Sequence, residues 1–165
     1  MFKQNYDEYF TYEELEAEVS RHTKRFEKVI EYIGSGGTVL DVGAGTGRLN
    51  LMLKQKNIPV EMVNIDIKND FVEKMREKGL DARHGVAERL GFPHRSFDIV
   101  TCNEVLEHLM NPGIALTELF KIAKNKIIFT VPIHRSQDTY HGWLLRAEIV
   151  DGWLICEWER KEGNE

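Results

Sequence analysis

Thr38-Val39-Leu40-Asp41-Val42-Gly43-Ala44-Gly45-Thr46-Gly47-Arg48-Leu49 decides the fold of this chain. An apolar, β-branched run carries an acid and ends in three alternate glycines, and a helical pattern follows. Glycine accepts positive φ and has no Cβ, so such a loop bends sharply and lets a ligand touch the main chain. The helix behind it turns free N–H groups back toward the loop. The stretch reads as strand, loop and helix shaped to hold a small molecule against the backbone.

Working outward, 38–42 is the first strand and 45–56 the helix after it, broken at Asn57-Ile58-Pro59. A second strand over 60–65 ends at Asp66, and a helix over 70–78 is closed by Gly79. Residues 80–84 form a short third strand, and 85–96 a connection with room for one helical turn. The fourth strand is 97–102. A helix begins at Val105, is interrupted by Asn111-Pro112-Gly113 and resumes over 114–123, and 126–131 is the fifth strand. Upstream, Thr11-Tyr12-Glu13-Glu14 reads as a capping box that opens a helix running to Ile33. Leu15, Val19, Phe26, Val29, Ile30 and Ile33 lie on its apolar face, and Gly34-Ser35-Gly36-Gly37 stops it. Downstream, 145–150 and 153–160 read as two strands joined by an Asp151-Gly152 turn. The competing reading makes 140–147 a short helix before a single last strand. Strands alternating with helices of about ten residues argue for βαβ units, a parallel sheet and helices on both faces.

The chain has 165 residues, enough for one domain with a sizeable core, and its 42% hydrophobic and 30% charged composition is that of a globular protein. A net charge of −5 argues against bulk nucleic acid as a partner. No apolar run approaches a membrane span, and the polar start Met1-Phe2-Lys3-Gln4-Asn5 carries no export signal. Cys102 and Cys156 are only two and far apart, which fits a reducing, cytoplasmic setting.

In an open parallel sheet, ligands bind beyond the carboxyl ends of the strands, where strand order reverses. The residues just after each strand are therefore the candidates: the glycine loop, Asp66, Gly85-Val86-Ala87, Asn103-Glu104 and Pro132-Ile133-His134. Asp66 stands one strand–helix–strand unit beyond the loop, where a carboxylate accepts both hydroxyls of a ribose; the plainer role is to cap the next helix. A dinucleotide fingerprint is G-x-G-x-x-G, and its last glycine would fall at Arg48 here. Asp41, two positions before the first glycine, would repel a pyrophosphate and suits a ligand that carries an ammonium group.

These residues resemble the cofactor-binding half of class I S-adenosylmethionine-dependent methyltransferases, over about 38–132. The resemblance implies a Rossmann-like α/β fold, with five parallel strands and a C-terminal antiparallel strand or hairpin. It implies S-adenosyl-L-methionine as cofactor, held by Asp41, Gly43, Ala44, Gly45, Thr46, Gly47, Asp66, Ile67, Val86, Ala87 and Asn103. Gly85-Val86-Ala87-Glu88-Arg89-Leu90-Gly91-Phe92-Pro93 is similar to the segment that packs around the adenine, where the family often has an aspartate at the position of Val86. Residues 97–109 are similar to the fourth strand and following helix of small-molecule methyltransferases, including those of quinone biosynthesis. The family usually continues with a long helix and two final strands, but only about ten residues separate Pro132 from Trp143. Acceptor contacts would then come from Tyr6, Tyr9, Phe10 and Tyr12 and from the loop His134–His141, unless those aromatics only pack the first helix on the sheet.

Glu104, Glu107 and His108 would share one helical face at i, i+3 and i+4. Two carboxylates and an imidazole suit a divalent ion that His134 or His141 could complete. Such a set resembles the metal site of RNA 2′-O-methyltransferases and of some quinone O-methyltransferases. The preferred reading assigns no metal and leaves a structural role, or a general base at His108 or His134. The expectation is a single domain: an N-terminal segment and helix over 1–33, a cofactor core over 38–132, and a shortened region over 133–165. It would transfer a methyl group to a small-molecule acceptor. A cofactor-binding module without catalysis and a nicotinamide oxidoreductase are the other readings, and Arg48 argues against the second.

Overall fold

Five parallel strands followed by an antiparallel pair form the centre of the computed structural model, which describes residues 11–21, 23–132, 146–150 and 153–159. In chain order the elements are α1 (Tyr12–Arg21), α2 (Thr23–Ile33), β1 (Thr38–Val42), α3 (Arg48–Gln55), β2 (Glu61–Asp66) and α4 (Asn69–Glu77). There follow β3 (Asp81–His84), β4 (Phe97–Asn103), a 3-10 turn (Leu106–His108), α5 (Pro112–Ile122), β5 (Ala123–Pro132), β6 (Arg146–Val150) and β7 (Trp153–Glu159). The sheet order is β3-β2-β1-β4-β5-β7-β6. β1 pairs in parallel with β2 on one side and β4 on the other, so strand order reverses beside β1. β7 runs antiparallel to both β5 and β6, the hairpin expected from Asp151-Gly152.

Alternate residues of each buried strand enter opposite layers, as the pleat requires. Leu40, Val100 and Ile127 pack with Ala115, Leu119 and Ile122 of α5. Their neighbours Val39, Ile99 and Ile128 pack on the other face with Phe26, Val29, Ile30 and Ile33 of α2 and with Leu49, Met52 and Leu53 of α3. Both faces are covered, so the central strands carry consecutive apolar residues, Val39-Leu40, Ile99-Val100 and Ile127-Ile128, rather than a strict apolar–polar alternation. Cys102 and Cys156 are buried and free. No helix among the described residues is long and apolar enough to cross a membrane.

Four local expectations are corrected. The helix expected up to Ile33 comes as two segments, α1 and α2, on either side of residue 22, which lies outside the described residues. The helix after β1 starts at Arg48 rather than Gly45, because Gly43, Gly45 and Gly47 all have positive φ and prolong the loop. Residues 85–96 hold no helical turn; Val86 and Arg89 form an isolated antiparallel bridge there. The helix expected from Val105 is a single 3-10 turn. Glu104 enters it from a left-handed conformation (φ +57°), and Leu109 leaves it extended. Pro112 then opens α5 at its first turn, where a missing N–H costs nothing.

Candidate ligand-binding site

The glycine loop is held by the end of its neighbouring strand. The N–H groups of Gly43 and Ala44 both donate to the Ile65 carbonyl, at 2.8 and 2.9 Å. The Gly45 N–H donates to Asp66 Oδ2 at 2.8 Å, and the Lys68 N–H donates to Oδ1 at 2.9 Å. Each carboxylate oxygen thus uses one lone pair on the backbone and keeps capacity for a ligand donor. Asp66 is 7% exposed, and burial raises its pKa against the pull of those N–H groups. A Cβ on Gly43 would overlap Val105 Cγ2, and one on Gly45 would come within 2.9 Å of Leu15 Cδ2.

Asp41 lies on the other side of the loop, 3% exposed. Thr101 Oγ1 donates to its Oδ1 at 2.7 Å, and Asn103 Nδ2 reaches the same oxygen at 3.5 Å. Asn103 Oδ1 is buried with no hydrogen-bond partner among the described residues. A buried carboxylate beside an unmatched carbonyl oxygen calls for a donor with positive charge.

Burial raises the Asp41 carboxyl to about 7, and the Asp66 charge adds to the rise while the Thr101 and Asn103 hydrogen bonds oppose it. From about pH 4 to about pH 7 the folded chain therefore holds a proton that the unfolded chain has released. More protons bound in the folded state means that this group withdraws stability as pH rises through that window. Asp41→Asn is expected to gain on the wild type by roughly 2–4 kcal/mol between about pH 4.5 and about pH 8 in urea unfolding. Parallel pH profiles of the two proteins would mean that the carboxyl is ionised throughout.

α1 lies across the loop. Thr11 and Glu14 form the expected capping box, with the Thr11 N–H on Glu14 Oε2 at 2.9 Å and the Glu14 N–H on Thr11 Oγ1 at 3.2 Å. Tyr12 is buried, its hydroxyl 3.4 Å from the Thr46 carbonyl and its ring edge-on to Phe71 at 5.5 Å. Lys74 of α4 and Lys78 just past its end sit over that ring and pair with Glu13 and Glu16. These exposed pairs are worth little singly. The buried Tyr12 anchors the helix.

One cavity collects most of the expected residues. Asp41, Gly43, Ala44, Gly45, Thr46, Asp66, Ile67, Ala87, Asn103 and His108 line it. Gly47 and Val86 do not. A Cβ on Gly47 would meet Leu80 Cδ1 at 2.5 Å, so this glycine serves the packing of the loop on α4. His134 and His141, like Tyr6, Tyr9 and Phe10, lie outside the described residues. His108 stands exposed at the cavity rim, and partial desolvation holds its pKa below the ordinary imidazole value, which leaves it neutral at pH 7.

Glu104, Glu107 and His108 do not share an α-helical face, because the turn is 3-10 and Glu104 precedes it. The Glu104 carboxylate pairs with Arg25 of α2. Among the described residues no three His, Cys, Asp or Glu side chains group closely enough to hold a metal. Sequence reasoning passed over Leu15, Arg25, Phe26 and Val105 as cavity residues. A signal for Arg25 existed, since it sits one turn before Val29 at the edge of the apolar stripe.

Comparison with known proteins agrees with this geometry. A family described as a methyltransferase domain matches residues 40–130. A ubiquinone biosynthesis O-methyltransferase of Maricaulis maris is 32% identical over 126 residues, 72% of this chain and 49% of that protein. The uncharacterized methyltransferase YcgJ of Bacillus subtilis is 30% identical over 105 residues, 61% of this chain and 42% of its own. The YcgJ crystal structure superposes with a TM-score of 0.60 at 28% identity, over 67% of this chain and 51% of that one. The PH0226 protein of Pyrococcus horikoshii superposes at 0.72 over 98% of this chain and all of its own, at 18% identity, which shows a shared fold. The chain spans about half the length of the curated relatives it matches. It belongs to the methyltransferase-domain family, in the class I S-adenosylmethionine-dependent group that its glycine loop resembles.

Proposed function

We propose that the chain binds S-adenosyl-L-methionine and transfers its methyl group to a small-molecule acceptor in the cytoplasm. One observation carries the reading: two buried carboxylates, Asp41 and Asp66, flank a glycine loop where strand order reverses. The residues fit the cofactor. Asp66 has lone pairs for the ribose hydroxyls, and the backbone of Gly43, Ala44, Gly45 and Thr46 admits close approach. Asp41 and the unmatched Asn103 Oδ1 suit the ammonium of the methionine end. Ile67 and Ala87 offer apolar contact to the adenosine, with Val86 beside them and Gly47 shaping the loop from behind.

The bound donor supplies an electrophilic methyl group, already activated on a sulfonium. The chain then has to align an acceptor and take up its proton. Neutral His108 at the rim is our candidate for that proton, and His134 is the second. The ubiquinone biosynthesis O-methyltransferases among the relatives favour an oxygen acceptor, and a phenolic hydroxyl is our first candidate.

The test is label transfer from methyl-labelled donor to phenols, catechols, amines and short RNA. Label is expected in a phenolic class, and His108→Ala should lower kcat by roughly 10²–10⁴ if the imidazole is the base. Firm donor binding with no label in any class would make the chain a binding module.

A further inference from the structure

Residues 103–105 line the cavity at the end of β4, and two of the three reach β1 and the glycine loop that follows it. Asn103 reaches Asp41, and Val105 occupies the space that a side chain on Gly43 would need. Glu104 stands between them with φ +57°, a conformation that side chains with a Cβ adopt at a cost and glycine adopts freely. Its N–H is tied to the Thr130 carbonyl at 3.0 Å, so the turn is fixed to β5 from behind. Its carboxylate pairs with Arg25, which is 1% exposed and stacks its guanidinium 4.8 Å from the centre of the Phe26 ring. Arg25 belongs to α2, and α2 is packed on the sheet through Phe26, Val29, Ile30 and Ile33. A rigid element therefore holds, through one ion pair, the strained residue that aims Asn103 and Val105.

We propose that Arg25 is a positioning residue for the S-adenosyl ligand: it pins Glu104 in its left-handed turn and so sets Asn103 and Val105 against the glycine loop. The inference rests on the function proposed above. Arg25 lines the cavity, and its guanidinium, paired with Glu104 and stacked on Phe26, is proposed to act on the ligand through the turn.

Glycine and alanine at position 104 separate this role from the others. Arg25→Met should raise the Kd for S-adenosylhomocysteine about tenfold, which corresponds to ~1.4 kcal/mol. Adding Glu104→Gly removes the partner charge and the cost of the turn together, so the double variant should return to within about threefold of the wild type. Arg25→Met with Glu104→Ala lacks the same charges but keeps the cost, and should stay weak. The two doubles compare like with like even where the single variant folds poorly, and thermal unfolding of each is read in parallel. Equal affinity of the glycine and alanine doubles overturns the proposal, as does an Arg25→Met variant that binds like the wild type. Wild-type chain that binds no S-adenosylhomocysteine would instead defeat the function on which the proposal rests.

Discussion

Gly43→Ala is expected to abolish ligand binding and to destabilise the chain by roughly 2–5 kcal/mol, the sum of a left-handed non-glycine residue and an overpacked core. Gly43 has φ +72°, and its new Cβ would overlap Val105 Cγ2. The overlap is with a β-branched side chain, stiff at χ1, that packs half-buried against the core cluster containing Val42, Cys102 and Leu106. The loop must shift instead, and the shift breaks the pair of hydrogen bonds from Gly43 and Ala44 to Ile65. Gly79→Ala is the control. It has nearly the same φ, +73°, with open space where the Cβ would go, so only the backbone cost of about 1–2 kcal/mol should appear and binding should survive. Adding Val105→Ala to Gly43→Ala should recover the overlap portion and leave the backbone cost. Urea unfolding of the three variants beside the wild type reads all of these. Equal destabilisation by Gly43→Ala and Gly79→Ala would mean that Val105 does not wall the loop.

Asp66→Ala is expected to weaken S-adenosylhomocysteine by about 1.5–3 kcal/mol, or roughly 10- to 150-fold, the range for a hydrogen bond to a charged acceptor. It also strands the N–H groups of Gly45 and Lys68. Stability should therefore fall by about 1–3 kcal/mol, the cost of buried donors without an acceptor. Asp66→Asn keeps an oxygen that accepts from one of these groups and should fall between alanine and the wild type in both measures. Calorimetric titration below each variant's unfolding range keeps the two effects apart. Unchanged affinity in Asp66→Ala would leave Asp66 as a clasp on the loop and nothing more.

The strands and the strand-end candidates were legible because each rests on a local physical signal. The β-branched run before Gly43 could only be a buried strand, and Asp151-Gly152 between two apolar runs marked the hairpin that closes the sheet. The alternate glycines announced a ligand loop, and Asp41 and Asp66 on either side pointed to its chemistry. What escaped depends on contacts between residues far apart in sequence. Arg25 sits at the edge of the apolar stripe, and only the fold shows that Glu104, much later in the chain, comes to meet it. The same pair makes a left-handed residue tenable at the start of a run that reads Val-Leu-Glu-His-Leu, a good helix by propensity. Helix propensity is a weak prior and yields to such a tertiary contact. Gly47 shows a further limit: three glycines in one motif look alike, yet two line the cavity and the third packs on Leu80 and Met75.

The central claim is that the glycine loop with its two buried acids selects an S-adenosyl ligand over a dinucleotide. Calorimetric titration of the wild-type chain with S-adenosylhomocysteine and then with NAD tests it directly. Saturable binding of S-adenosylhomocysteine, with no heat beyond dilution from NAD, is the predicted result. Binding of NAD without a response to S-adenosylhomocysteine would contradict it.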